Sequence, residues 1–364
     1  MKQKTALLLH FLSPFIISFV SFIFLVIFFR PLFINIFVTI LFYILFLFIS
    51  LIFSTAFHEA GHMTFGLLTG YRLISFRVLH TSINYDGKRY HLKFSRMLTF
   101  ALGQCIMAPP KYNKKHNPFY LYNFGGLIFT YLLTIVSLLL IIFIDVPIVR
   151  IIMISLCVIN IYFAFTNSIV IKGGINDMCN HIYLKKDPKL VNSVLYELEF
   201  NRNVFLGKRY RAKTSYPIYL DGTLNHITFP AYLYRFYYAI DKNDLRLAKR
   251  YINKIKNDYN KLSMLPIKTI ALFEMMYADI VLENNMKAFR FHFSNIDENM
   301  KKIMKMSPDM QYFYQIYQKI YDDKYDIKEE MDKLIDCYEN GEKESISFKL
   351  ELLNNKLEDL SKKA

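Results

Sequence analysis

From Phe33 to Leu68 the sequence is a nearly unbroken apolar run, and most of its chemistry sits in one short segment, His58-Glu59-Ala60-Gly61-His62. About 20 apolar residues cross the hydrocarbon core as a helix, which satisfies every backbone N–H and C=O within itself. Two imidazoles and a carboxylate inside such a helix cost on the order of several kcal/mol unless they are paired or put to use. The run is therefore read as a membrane span that carries a functional group of residues.

Three further stretches have the same character, about Leu9–Phe29, Tyr120–Ile144 and Ile148–Ile171, which gives four expected spans with the second at about 33–56 and continuing to 68. The first follows Met1-Lys2-Gln3-Lys4. It is too long for a signal peptide, and no small-residue cleavage site precedes Arg30, so it reads as a retained anchor. Lys and Arg crowd the loop from Arg72 to Lys115, whereas the loops around Arg30 and Asp145 are nearly uncharged. Basic loops stay inside. The reading is thus a multi-pass protein of a bacterial cell membrane with both termini cytoplasmic, and a second span that brings His58 and His62 towards its cytoplasmic end.

Composition agrees with a chain in two parts: 54% hydrophobic residues stand beside 21% charged ones. The apolar runs end near residue 171, and residues 181–364 are rich in Lys, Asp, Glu, Asn and Tyr. The expected fold is mainly α: a four-span helical membrane domain with a short β-hairpin over residues 1–180, followed by an all-α cytoplasmic domain over residues 181–364. The net charge of +15 is spread over loops and a mixed-charge tail, not one basic stripe. This points to an anionic lipid bilayer as the partner and away from nucleic acid. Cys105, Cys157, Cys179 and Cys337 have no paired spacing, so neither a disulfide framework nor a thiolate metal site is expected.

His58 and His62, four residues apart, share one helix face and can present two imidazoles to one cation, with Glu59 beside them as a general base. Zn2+ bound there would acidify a water and polarise a scissile carbonyl, which is the equipment for amide hydrolysis. A catalytic zinc site has three protein ligands and an open position. Asp177 is the best third ligand, since Lys172-Gly173-Gly174-Ile175-Asn176-Asp177-Met178 follows the last span and its paired glycines permit a tight return. Its alternative is a cap on a helix starting near Met178. Asn167, late in the fourth span, is a candidate for holding substrate backbone or for a helix-packing hydrogen bond. The other seven histidines show no ligand spacing, and Gly125-Gly126 suits close helix packing.

Between the second and third spans, Leu73–Leu79 and Tyr90–Phe94 read as strands flanking the turn Asp86-Gly87. Such a hairpin offers an edge on which an extended substrate could add a strand, or serves as a structural element at the membrane surface.

The run Phe57-His58-Glu59-Ala60-Gly61-His62 with Gly66, Leu67, Gly70 and Phe76, together with Asn123-Phe124-Gly125-Gly126-Leu127, resembles the site-2 protease family of intramembrane zinc metalloproteases over roughly residues 50–180. The resemblance implies His58, His62 and Asp177 as zinc ligands, with Asn167 and Asp177 in the place of the family's Asn-Pro and Asp-Gly segment. Val170 and Met178 stand where Pro and Gly are usual. It also implies a membrane-embedded peptide or protein as substrate. A catalytically inactive protease-like scaffold, or a peptide-export and immunity factor, is the competing reading, and Met178 motivates it.

In the polar half, Tyr237–Ile255, Tyr277–Ile296 and Tyr317–Ile335 each read as a helix, a polar turn and a second helix, recurring about every 40 residues. A tetratricopeptide-like solenoid and a plain helical bundle both fit, and either could dock a cytoplasmic protein partner. Asn201–Pro230, rich in basic residues, Tyr and Pro, reads as a linker against the membrane.

Overall fold

A computed structural model describes residues 23, 36–94, 102–111, 119–170, 176–217, 224–305 and 307–362. The expected span at about 9–29 thus lies outside the described residues except for Ile23. The chain divides into two compact units: Met1–Asn84, Leu92–Ser95 and Phe100–Asp187 form one, and Tyr85–His91, Arg96–Thr99 and Pro188–Ala364 the other.

Among the described residues of the first unit, three helices are long and apolar enough to cross a membrane: α1 (Ile36–Leu68), α2 (Phe119–Phe143) and α3 (Pro147–Ser168). Their outer faces expose large apolar side chains such as Phe37, Leu41, Ile142 and Phe143. Tyr43 of α1 packs with Ile151, Ile154 and Val158 of α3 in a small apolar cluster, and the closest approaches between the helices use small and polar residues. Gly61 and Gly125 meet backbone to backbone: a Cβ on either would lie 2.2 or 2.3 Å from the other's carbonyl oxygen. Asn160 of α3 donates to Ser54 Oγ of α1 at 3.0 Å. Gly70, at φ 88°, ends α1, and the N–H of Tyr71 closes back on Gly66 O.

The single expected hairpin is instead a four-stranded antiparallel sheet, β1 (Arg72–Val78), β2 (Thr81–Tyr85), β3 (Tyr90–Phe94) and β4 (Gly103–Ala108), in the order β3-β2-β1-β4. The Asp86-Gly87 turn is real, with Asp86 Oδ1 accepting from the N–H groups of Lys88 and Arg89 and Gly87 at φ 99°. It joins β2 to β3, not β1 to β3. A second tight turn at Leu79-His80 folds β1 onto β2, pairing Val78 with Thr81. Leu79 there sits at φ 50°, where a branched side chain is uncommon, so no turn signature marks it in the sequence. β4 pairs with β1, Phe76 opposite Cys105 and Arg77 opposite Gln104. Its buried Met107 presses on α1 at Gly66, where a Cβ would come within 2.7 Å of Met107 Cε.

α4 (Asp177–Lys186) completes the first unit. The second unit is helical: α5 (Lys189–Phe205), α6 (Phe229–Asp241), α7 (Leu245–Asp258), α8 (Leu265–Val281), α9 (Met286–Ser294), α10 (Glu298–Met304), α11 (Pro308–Tyr321), α12 (Lys328–Ile335) and α13 (Asn340–Ser361). The pairs α6/α7, α8/α9 and α11/α12 are helical hairpins, and each turns at a left-handed residue: Asn243, Asn284 and Asp323. Asn and Asp tolerate that conformation, and the side chains of Asp244 and Asn285 then cap the following helices. Residues 206–217 are bound into this unit and are not a free linker. Arg209 pairs with Asp241, the N–H of Arg211 donates to Asp241 at 2.8 Å, and that of Ser215 to Glu199 at 2.6 Å. Residues 218–223 lie outside the described residues. No disulfide joins the four cysteines.

Candidate metal centre

α1 carries His58 and His62 about 15 and 9 Å from its Leu68 end, at 1.5 Å per residue. Their rings lie 5.0 Å apart at 82°. Each ring is oriented from behind by α2. Thr130 Oγ1 donates its one hydrogen to Gly126 O at 2.9 Å, so at 2.9 Å from His58 Nδ1 it must accept, and His58 carries its proton on Nδ1. His62 Nδ1 donates to the backbone oxygen of Tyr122 at 2.9 Å, which leads to the same tautomer. Both Nε2 atoms then carry lone pairs, and both face the start of α4.

There Asp177 completes the set. Its Oδ2 lies 3.3 Å from His58 Nε2 and 3.5 Å from His62 Nε2, and although buried has no further hydrogen-bond partner among the described residues. Asp177 does not cap α4. Asn176 takes that role, accepting the N–H of Cys179 at 2.8 Å while its amide donates to Thr166 O and Ile169 O at the end of α3. Asn123 of α2 donates to Asp177 O at 2.9 Å. The carboxylate is thus aimed by its backbone, gripped from both sides.

The donor set suits a metal of the zinc type on geometry and chemistry. Ligand atoms 2.0–2.2 Å from a tetrahedral ion are about 3.3–3.6 Å from each other. The two Asp177 separations are those of such an edge. Room is kept for an ion by Gly126, whose Cβ would stand 2.4 Å from His62 Nε2 and 2.7 Å from His58 Nε2. Sequence spacing suggested helix packing for both glycines of this pair. Gly125 packs against Gly61, whereas Gly126 clears the space in front of the imidazoles.

Glu59 is buried beside β4, where a Cβ on Gly103 would come within 2.6 Å of Glu59 Oε1. Asn167 donates to Phe163 O one turn back in its own helix at 3.1 Å. Thr130 carries no motif of its own, whereas Asn123 opens the Asn123-Phe124-Gly125-Gly126-Leu127 run and Asn176 sits beside Asp177 without having been singled out. Their one shared signal is polarity inside or beside an apolar helix. No family model matches the chain, and no curated protein or solved structure is significantly similar to it.

Proposed function

We propose that the chain is an intramembrane zinc metalloprotease of the site-2 protease type. The observation that carries this reading is the approach of Asp177 Oδ2 to Nε2 of His58 and of His62 at tetrahedral-edge distances, the two histidines lying on a helix apolar and long enough to span a membrane. His58, His62 and Asp177 would hold Zn2+, which supplies Lewis acidity towards a water and a peptide carbonyl. Glu59, next along the helix from His58, takes the proton from the attacking water on its carboxylate and returns it to the leaving amide nitrogen. Apolar walls on α1, α2 and α3 exclude bulk water and strengthen each of these interactions.

β4 is an end strand of its sheet and runs beside Glu59, which supports an extended substrate segment pairing along that edge. Such pairing presents an unwound peptide bond, whereas a helical segment hides it. The substrate class is a membrane-embedded or membrane-associated peptide or protein. The orientation with both termini cytoplasmic and the tetratricopeptide-like character of the second unit belong to the same proposal. Three hairpins turning at residues 41 and 39 apart support the latter.

Glu59→Gln tests the reading. In cells producing the unaltered protein, membrane-derived peptide termini are expected that vanish with Glu59→Gln, while that variant stays in the membrane and keeps its zinc. Identical peptide populations, with the variant present in the membrane, would refute proteolysis, and an absence of stoichiometric zinc would favour the inactive scaffold.

A further inference from the structure

The helical unit is polarised in charge along its chain. Residues 188–258 carry 13 Lys and Arg against 6 Asp and Glu, whereas residues 259–364 carry 16 against 19. The acidic groups of the α6/α7 hairpin are all engaged. Asp241 accepts from Arg209 and from the N–H of Arg211, Asp244 accepts the N–H of Leu247 at 3.0 Å, and Asp258 pairs with Lys254 and Lys261 at 2.9 and 2.7 Å. Other cations of the hairpin settle on rings. The Arg235 guanidinium lies 5.0 Å from the Tyr196 centroid and 5.6 Å from that of Tyr238, and Lys242 Nζ lies 4.9 Å from the same Tyr238 ring.

α7 turns this surplus outward. Ala248, Tyr251, Ile252 and Ile255 are its buried side, and Arg246, Lys249 and Arg250 stand exposed on another side at i, i+3 and i+4, with exposed Lys242 in the turn before it. Arg246, Lys249 and Arg250 have no ion-pair partner among the described residues. Like charges at these spacings destabilise a helix, so an anionic surface laid against them is favoured twice, by attraction and by relief of their repulsion. Chain connectivity decides which anionic surface. α5–α7 are the helices joined through α4 to the unit whose three helices are long and apolar enough to cross a membrane. That tether keeps a lipid leaflet at high effective concentration, whereas a soluble acidic partner must arrive from dilute solution. Clusters of about four or more Lys and Arg held near a bilayer are sufficient to engage anionic headgroups.

We propose that the basic side of α7, Arg246, Lys249 and Arg250 with Lys242 at its start, docks the helical unit on the anionic headgroups of the bilayer that holds the chain. The inference stands whether or not the candidate metal centre is proteolytic. The native sequence contains no Trp, so Leu245→Trp, at an exposed position beside the patch, gives a single reporter. The full chain carrying it is reconstituted in nanodiscs of phosphatidylcholine alone, or with about 30% phosphatidylglycerol, each containing a dansyl-labelled lipid headgroup that accepts energy from Trp. Energy transfer is expected to be at least twofold greater with phosphatidylglycerol. That gain should vanish in about 1 M salt, where the screening length is about 3 Å, and when Arg246→Gln, Lys249→Gln and Arg250→Gln are combined. Asn355→Trp, exposed on α13 in the acidic part of the unit, should show no gain. Equal transfer in the two lipids, a gain that survives either salt or the substitutions, or an equal gain at Asn355→Trp would overturn the proposal. Equal transfer together with a fluorescence shift of the reporter on adding poly-glutamate would overturn it in favour of an acidic protein partner. The lipid and salt comparisons hold even if the combined variant fails to fold.

Discussion

Replacing Gly126 by Ala separates a metal centre from a packed trio of polar side chains. The added methyl carbon would stand 2.4 Å from His62 Nε2 and 2.7 Å from His58 Nε2. Unbonded atoms settle at about 3.5 Å, so the rings must retreat by roughly 0.8–1.1 Å. α2 cannot easily withdraw instead, because Gly125, the preceding residue, is already seated on Gly61 of α1. Metal–ligand distances tolerate only about 0.2 Å, and loss of an outer partner alone typically weakens a site about 10- to 100-fold. Displacing two ligands should therefore weaken zinc binding by at least about 100-fold, or about 2.8 kcal/mol. Zinc content by elemental analysis and affinity by chelator competition, on protein purified in detergent, give the readout. Circular dichroism checks that the helices persist. A folded Gly126→Ala protein that holds one zinc with unaltered affinity would refute the assignment of His58 and His62 as ligands.

Two further outcomes follow from single hydrogen bonds and single charges. Thr130→Val keeps the shape but removes the acceptor for His58 Nδ1–H, and should weaken zinc affinity by about 10- to 100-fold with the helices intact. Unchanged affinity in the same chelator titration would mean that Thr130 does not orient His58. In the helical unit, burial raises the Glu197 carboxyl from 4.5 to about 7. The folded state thus binds the proton more tightly than the unfolded one, so this contribution is fully present below 4.5 and is lost as pH rises through about 7. The loss is on the order of 3 kcal/mol. Hydrogen-exchange protection of α5, corrected for intrinsic rates, should fall between about pH 5 and pH 8 in the native sequence and stay level in Glu197→Gln. Equal slopes would refute the burial argument.

Local spacing carried much of what the sequence disclosed. His58 and His62 face one way because four residues make about one turn. The three hairpins of the second unit show in the recurrence of Tyr237, Tyr277 and Tyr317 because each is built from neighbours in the chain. What stayed hidden depends on pairing at a distance. β4 has no partner until β1 lies beside it, and the turn at Leu79 is enforced by that pairing, not by a turn-forming residue. Residues 206–217 read as a linker because their basic character is visible, whereas the carboxylates that hold them, Glu199 and Asp241, belong to two different helices.

The candidate metal centre was more legible than an apolar reading of the spans allows. In a soluble helix the apolar stripe marks the buried face, but between lipid-facing helices the signal inverts, since apolar residues are equally content outside. Read by its polar residues, α1 has Ser50, Ser54, His58 and His62 at intervals of four, one continuous face, with both serines and His58 buried. α2 answers with Asn123, Gly126, Thr130 and Ser137 at i, i+3, i+7 and i+14, again one face, with all four buried. Those two faces meet. The first grips the candidate ion and the second supplies the bonds behind the ligands. The polar stripe of each helix therefore points to the other, and Thr130 and Asn123 could be nominated from the sequence as partners of His58 and of the segment that brings Asp177, before any distance is measured.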